Sequence, residues 1–323
     1  ADQIYKHLYK RFILDFDDMT DISKIDREKL KEEFSFIIPE ISERHEEEES
    51  KTIKFNLKLT DENIIETVVI SAGNRVTQCV SSEVGCRLGC VFCATAGLGY
   101  NRSLTVEEYV SQVLLISNKT GSRPTNLVFM GMGEPLMNTD NLIKAIGILS
   151  DMQGFDFGLR KITVSTAGII PEIERLLLNF PNIGIAISLN STNEKQRTEL
   201  MPINQKYPVK DIFNFLSTKR TLFKRRPTIE YILIDKINDS EKDADQLIKL
   251  TDRIPCKINL IPYNPHPGCD FKRSTRIDPF LNRMMNAKNA VTFRQSAGTG
   301  IYAACGQLAN IKTSSETEIE DDE

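Results

Sequence analysis

Two hydrophobic periods divide this chain. Up to about residue 45 the apolar positions recur at helical spacing. Tyr5, Leu8, Tyr9, Phe12 and Leu14 form one apolar face and Ile25, Leu30 and Phe34 another, which predicts helices. The acidic run HEEEES from His45 breaks the pattern and reads as a solvated linker. FNLKL, IIETVVI and VTQCVSS follow, short and partly alternating, separated by Asp, Gly and Asn. They predict strands or a hairpin. Beyond Cys86 the chain alternates. NLVFM, KITVS, IGIAISL, TIEYILI, KINLIP and VTFR are apolar runs of strand length. EEYVSQVLLIS, NLIKAIGILSDM, PEIERLLLNF, VKDIFNFLSTKR and KDADQLIKLTDR are amphipathic stretches of helix length. Such alternation predicts an α/β fold with a parallel sheet and βαβ crossovers, here a full or partial β/α barrel. In a barrel the chemistry sits in the loops after the C-terminal strand ends.

The expected organisation has three parts. Residues 1–48 form a small helical domain with its acidic linker, 49–295 the barrel with a β extension before it, and 296–323 a C-terminal loop and acidic tail. A chain of 323 residues, 40% hydrophobic and 27% charged, is long enough for one large domain and one small one. No apolar run approaches the roughly 18 residues needed to span a bilayer, and the first residues, ADQIYKHLYK, are polar. A cytoplasmic protein without a membrane partner is the expectation.

Cysteine changes the picture. Seven cysteines, an odd number without an export signal, argue against a disulfide framework and for metal or redox use. Three scattered histidines argue against a His-rich metal site. The net charge of −4 does not advertise nucleic-acid binding, but the acids concentrate in HEEEES and the terminal ETEIEDDE. The remainder is near neutral or slightly basic. It carries local basic clusters at Lys219-Arg220, Lys224-Arg225-Arg226 and Lys272-Arg273.

The strongest signal is GCRLGCVFC, which spaces Cys86, Cys90 and Cys93 as C-x3-C-x2-C after the strand VTQCVSS. Thr105 and Glu108 form a capping box for the next helix. Thiolates are the normal ligands of iron–sulfur clusters. Three of them can hold three irons of a four-iron cube and leave the fourth open to a small molecule. A structural zinc site wants four ligands, and no fourth Cys or His lies nearby in sequence. Buried structural thiols are the other alternative.

The spacing, with Phe92 before the last cysteine, resembles the radical S-adenosylmethionine (SAM) signature. GCRLGCVFCATAGLGYNRSLT, VFMGMGEPLMN, ITVSTAGIIP, LMPIN, LIPYNPHPG and AACGQLA, in that order, resemble the RlmN/Cfr family over roughly residues 3–310. The N-terminal QIYKHLYKRFILDFDDMTDISK resembles the helical accessory domain of its RlmN branch, without the residues that usually precede it, so the chain is expected to begin inside that domain. The resemblance implies a radical SAM (partial β/α TIM-like) barrel with a small N-terminal helical accessory domain. It implies a [4Fe-4S] cluster on Cys86, Cys90 and Cys93, and SAM held by Gly133, Glu134, Ser165, Ser188, Leu189, Asn190 and Asn264. The implied activity is methylation of C2 of adenosine 2503 in 23S rRNA and adenosine 37 in some tRNAs. Cfr-type enzymes act instead on C8 of the rRNA adenosine. A cluster-bearing RNA-binding or sensor protein without turnover is a third reading, which leaves Cys79, Cys305 and a SAM site together unexplained.

The implied route is covalent. Cys305 is first methylated by SAM, and a radical from a second SAM activates that methyl group, which adds to the adenine. Cys79 then attacks the Cys305 sulfur to release product as a disulfide forms. Glu66 is the implied proton acceptor, with a solvent-facing strand carboxylate as the rival reading. The implied partners are 23S rRNA, tRNA and an electron donor such as a flavodoxin, with the enzyme acting as a monomer. Where the family often reads SLHA, this chain has Ser188-Leu189-Asn190-Ser191, so no imidazole acts there. Cys256 and Cys269 read as small buried hydrophobes.

Overall fold

The computed structural model describes residues 2–310. The chain opens with α1 (Asp2–Arg11) and α2 (Lys24–Glu33), then runs through β1 (Glu40–Glu47), β2 (Thr52–Lys58), β3 (Ile64–Ala72) and β4 (Arg75–Cys79). β5 (Glu83–Gly85), α3 (Ala94–Gly97) and β6 (Tyr100–Ser103) follow. Next come α4 (Val106–Thr120), β7 (Asn126–Phe129), α5 (Thr139–Ser150), β8 (Ile162–Thr166), α6 (Ile170–Asn179) and β9 (Gly184–Ser188). The last part holds α7 (Glu194–Leu200), α8 (Val209–Thr218), β10 (Thr228–Leu233), α9 (Glu241–Thr251), β11 (Lys257–Pro262), α10 (Ile277–Met284) and β12 (Ala290–Phe293).

Ten strands form one sheet in the order β1-β2-β3-β4-β7-β8-β9-β10-β11-β12, and β5 pairs with β6 separately. Within the large sheet β1 to β4 are antiparallel and from β4 onward the pairings are parallel, while the β5–β6 pair is antiparallel. β4 is the joint, for Cys79 pairs with Val68 on one side and Val128 on the other. The parallel part curls with β4 and β12 unpaired to each other, a partial β/α barrel with an antiparallel extension. Its strands bury Leu127, Phe129, Ile162, Val164, Ile187, Ile229 and Leu260, and its helices bury Val113, Leu142, Ile173, Ile212 and Leu247. Full burial of each such aliphatic or aromatic side chain contributes about 1.5–3 kcal/mol. The Thr105–Glu108 capping box is formed at the start of α4.

Two expectations are corrected. The acidic run is no linker: Glu46 and Glu47 lie in β1, paired with Ile53 and Thr52 of β2. Side chains alternate between exposed and half-buried along β1, so the acids occupy an edge strand, where charge discourages pairing with another chain. The second apolar helix face is also only partly used. Leu30 packs against Phe16, Met19 and Ile22, while Ile25 is 71% and Phe34 58% exposed. The first face does dock. Tyr9 and Phe12 lie 5.2 Å and 6.0 Å from the Phe155 ring, and Tyr5 donates to Asp151 Oδ2 at 3.1 Å. The acidic C-terminal run lies outside the described residues.

One buried cation ties the strand ends together. Arg197 on α7 is fully buried. Its guanidinium donates to the carbonyls of Ala167 (2.7 Å), Leu189 (2.9 Å), Ser188 (3.0 Å) and Tyr207 (3.2 Å) and to Asn204 Oδ1 (2.8 Å). Burial pulls its pKa down to about 10, yet five acceptors satisfy the charge. Removing it orphans carbonyls at the ends of two barrel strands. Arg197→Ala is expected to destabilise the fold by roughly 3–5 kcal/mol, the usual cost of deleting a buried, fully bonded charge, and denaturant unfolding of the purified protein measures it.

Candidate active site

The loop after β4 carries the three spaced cysteines across the C-terminal mouth of the barrel. The Cys86 N–H donates to the Gly99 carbonyl (2.7 Å), the Val91 N–H to Leu200 (3.1 Å) and the Cys93 N–H to Cys90 (3.2 Å). Cys86, Cys90 and Cys93 line one cavity, about 900 Å³ with its open mouth included. Burial pushes the Cys86 and Cys90 thiols up, and Cys93 adds to both shifts, so the three sulfurs lie within electrostatic reach of one another.

The far wall is the turn after β7. Gly133 has φ +91°, and a Cβ there would stand 2.5 Å from Glu83 Cβ and 2.8 Å from its backbone nitrogen. Only glycine permits this approach. It lets Glu83, fully buried, accept from the Glu134 N–H (3.0 Å) and from Arg87 Nε (3.0 Å). The Glu134 carboxylate accepts in turn from the N–H groups of Ala167 (2.8 Å) and Leu136 (3.1 Å). Burial raises Glu134 to about 7, against the stabilising hydrogen bonds of Ala167, Thr166 and Leu136. Glu83 carries no motif signal, and only the fold reveals it.

The remaining expected SAM residues separate by position. Gly133, Glu134, Ser165, Ser188 and Asn190 line the cavity with Glu230. Ser165 Oγ donates to Glu230 Oε2 at 3.4 Å. Leu189 points into the hydrophobic core and is not among the lining residues. Asn190, at φ +57°, accepts from the Ile232 N–H (3.1 Å) and sets its amide on the Met201 sulfur (3.3 Å). Asn264 also stands off the cavity lining, and its Nδ2 donates to the Cys305 carbonyl at 3.1 Å while its buried Oδ1 has no partner.

Cys305 lines both this cavity and a second, smaller one that also contains Cys79 and Arg294. Burial pushes Cys79 up to about 12, Cys305 adds to that, and Arg294 opposes it. Burial likewise raises Cys305, with Arg294 opposing. The arginine is held protonated chiefly by Cys305, with Glu230 and Cys79 adding. The strand motif VTFR carried no hint that its last residue faces two thiols.

Glu66 is not a solvent-facing carboxylate. It is 0% exposed and pairs with Lys54, also 0% exposed, at 2.9 Å. Burial raises the Glu66 pKa and Lys54 only partly offsets it. Glu66 lines neither cavity. All seven cysteines are free. Cys256 is buried as expected, whereas Cys269 is half-exposed, its Sγ 3.6 Å from the Val91 carbonyl.

Comparison with known proteins bears on this arrangement. Residues 80–248 match the family model described as "Radical SAM superfamily". Residues 1–36 match that of the "Ribosomal RNA large subunit methyltransferase N-terminal domain". The crystal structure of a radical SAM methyltransferase from Sphaerobacter thermophilus is 37% identical, covers 95% of this chain and 92% of its own, and superposes with a TM-score of 0.91. The chain belongs to the radical SAM superfamily, in its RlmN-type branch. SuiB of Streptococcus suis, solved with S-adenosylmethionine bound, aligns more loosely, at 16% identity over 67% of this chain and 46% of its own with a TM-score of 0.46.

A radical SAM methyltransferase uses a [4Fe-4S] cluster and SAM. The donors present here fit that cluster. Among the described residues no three His, Cys, Asp or Glu side chains converge on a point that could hold a single metal ion. A four-iron cube asks for something else, since each thiolate binds a different iron. Three thiols spread along one wall of an open cavity meet that requirement.

The two basic clusters lie at opposite ends of the barrel. Arg225 donates to the Arg160 carbonyl (3.0 Å) just before β8 and β10 begin. Arg273 bridges to Ile234, just past the end of β10, on the face that carries the site. Of the two, the Arg273 cluster is the one at the end that carries the cavity. Among the described residues no helix is long and apolar enough to cross a membrane.

Gly133→Ala is expected to cost about 1–3 kcal/mol of stability, from a positive φ forced on a β-carbon, and to weaken SAM binding at least as much by displacing Glu83. Thermal unfolding and titration calorimetry read the two effects.

Proposed function

We propose that this methyltransferase adds a methyl group to C2 of an adenosine in RNA, adenosine 2503 of 23S rRNA and adenosine 37 of some tRNAs, through a methyl-carrying cysteine. The observation that carries the reading is the position of Cys305, in the shared wall between the cavity of the spaced cysteines and the cavity of Cys79. The match of residues 1–36 to an rRNA methyltransferase domain supports an RNA substrate.

Cys86, Cys90 and Cys93 hold the cluster, and Gly133, Glu134, Ser165, Ser188 and Asn190 border the space for SAM. Leu189 contributes only its backbone, and Asn264 acts through Cys305. When bound, the cluster and SAM supply one-electron chemistry and the methyl group. An external electron donor such as a flavodoxin supplies the electrons.

The side chains do the rest. Cys305 must first be a nucleophile. Its thiol is raised by burial, and the guanidinium of Arg294 is the cation that favours its thiolate. As a thioether it carries the methyl carbon that becomes bonded to the adenine. As the ring regains its aromaticity it sheds one electron, returned to the redox chain that the donor feeds, and one proton, which Glu66 accepts, a role suited to a carboxylate whose pKa burial has raised. Because Glu66 is sealed, the segment at Asn310 that lies against it must shift when RNA docks. Cys79 Sγ then attacks Cys305 Sγ. A sulfur–sulfur bond forms, the sulfur–carbon bond breaks, and the carbon takes the electron pair and a proton to become the methyl group. Two electrons from the donor restore the two thiols.

The product is tested by mass spectrometry of methyladenosines after incubation with 23S rRNA fragments and tRNA. 2-Methyladenosine is expected, and 8-methyladenosine would move the assignment to Cfr-type chemistry. The two thiols separate in time. Cys79→Ala is expected to accumulate a protein–RNA adduct that survives denaturing electrophoresis, with the added mass on the Cys305 peptide. Cys305→Ala is expected to keep its iron and form no adduct. Both should lose at least about 100-fold in turnover, as when one member of a catalytic unit is removed. Normal turnover by Cys79→Ala would rule out release through a disulfide.

A further inference from the structure

The segment that carries Cys305 is anchored at both ends, and one anchor comes from the acidic strand β1. Glu47, its last residue, points its carboxylate into the turn at residues 298–303. Oε2 accepts from the Gly298 N–H at 2.9 Å and Oε1 from the Gly300 N–H at 2.8 Å, and the Ser50 hydroxyl also donates to Oε2. The turn closes on itself through the Ala303 N–H to the Gly298 carbonyl (2.8 Å). Gly298 has φ +73°, and a Cβ there would stand 2.7 Å from both Thr52 Cγ2 and Ala303 Cβ. A Cβ on Gly300 would sit 2.9 Å from Glu47 Oε1. The backbone thus approaches the carboxylate as closely as glycine allows. Beyond Cys305 the Gly306 carbonyl accepts from Ala94 (2.8 Å), the Leu308 carbonyl from Thr95, and Asn310 Oδ1 from Asn56 (2.8 Å).

We infer that Glu47 is a positioning residue for the reaction: by holding the Gly298 and Gly300 amides it fixes the turn that keeps Cys305 in the wall between the two cavities. The inference rests on the reading of Cys305 as the methyl carrier. A carboxylate is the group for this task. It offers acceptors on both oxygens and carries the charge that strengthens hydrogen bonds to N–H. Although burial opposes it, the Ser50, Gly300 and Gly298 bonds together hold Glu47 below its ordinary pKa, as expected of a carboxylate stabilised in its charged form. Glutamine would match one amide with its oxygen and turn its NH2 against the other.

The test uses the cluster-loaded full chain. In Glu47→Gln, hydrogen exchange at Gly298 and Gly300 is expected to quicken by about tenfold or more, the loss of a charge-assisted bond. The methylated fraction of the Cys305 peptide after one incubation with SAM should fall, and kcat should fall with KM for RNA unchanged. Glu47→Asp, which keeps the charge on a shorter arm, should recover part of each loss. Ser50→Ala, which removes the hydroxyl's bond to Glu47 and the bond its oxygen accepts from the Gly298 N–H (3.2 Å), should loosen the same turn with the carboxylate kept and stands in if Glu47→Gln folds poorly. Glu46→Gln removes the neighbouring acid, which pairs with Arg44 at the surface, and should change nothing. Unchanged exchange and kcat in Glu47→Gln, or equal losses in Glu46→Gln, would overturn the inference. If exchange quickens while Cys305 never carries a methyl group even in the unaltered protein, the positioning stands and the carrier reading falls.

Discussion

Two hydrogen bonds stitch the C-terminal segment to the cysteine loop, from the Ala94 N–H to the Gly306 carbonyl and from the Thr95 hydroxyl to the Leu308 carbonyl. The loop arises at the first barrel strand and the segment follows the last. Between them lies the opening left where β4 and β12 fail to pair. A closed barrel would have no use for such a seam. In an open one it brings sulfur from the end of the chain to sulfur from its beginning, and both cavities take their shape from it.

The seam places charge where burial makes charge expensive. Glu83, Glu134, Glu230, Arg197 and the Lys54–Glu66 pair are all buried. Each isolated charge would cost several kcal/mol. The fold offsets that cost in different ways. Arg197 is ringed by carbonyls, and Glu134 is met by backbone amides from two strand ends. Glu83 meets an amide and an arginine. Among the described residues the Arg294 guanidinium makes no hydrogen bond, and its charge is favoured by Glu230 and two thiols. Arg197 and Glu83, with their partners supplied by the fold, hold the frame, and Arg294 lies beside the two thiols of the second cavity.

The antiparallel extension has a matching role. β1 and β2 add no parallel strand to the barrel, but Glu47 and Asn56 reach from them to the two flanks of the Cys305 segment. β3 supplies Glu66 and pairs with β4, so the candidate base and Cys79 sit on adjacent strands. An acidic run that composition alone would assign to solvent is thereby part of the site's frame.

Much of the fold was legible in the residues themselves. Apolar runs of strand length alternating with amphipathic helices prescribe a parallel sheet, because such strands must be covered on both faces. Thr105 and Glu108 mark their helix through short-range hydrogen bonds. The spacing of Cys86, Cys90 and Cys93 is local and chemical, and so could be read before any fold was known. What the sequence could not decide is what depends on distant segments meeting. His45, Glu46 and Glu47 became strand because β2 offered them partners. Leu189 turned into the core and Asn264 toward Cys305, placements that depend on segments far apart in the chain. Glu83, Glu230 and Arg294 belong to no motif and acquired their surroundings from segments far away in the chain. Residue type and spacing determined which chemistry this chain can support. Only the tertiary structure decided that Cys305 and Cys79 share a cavity, because that contact closes across the open seam of the barrel.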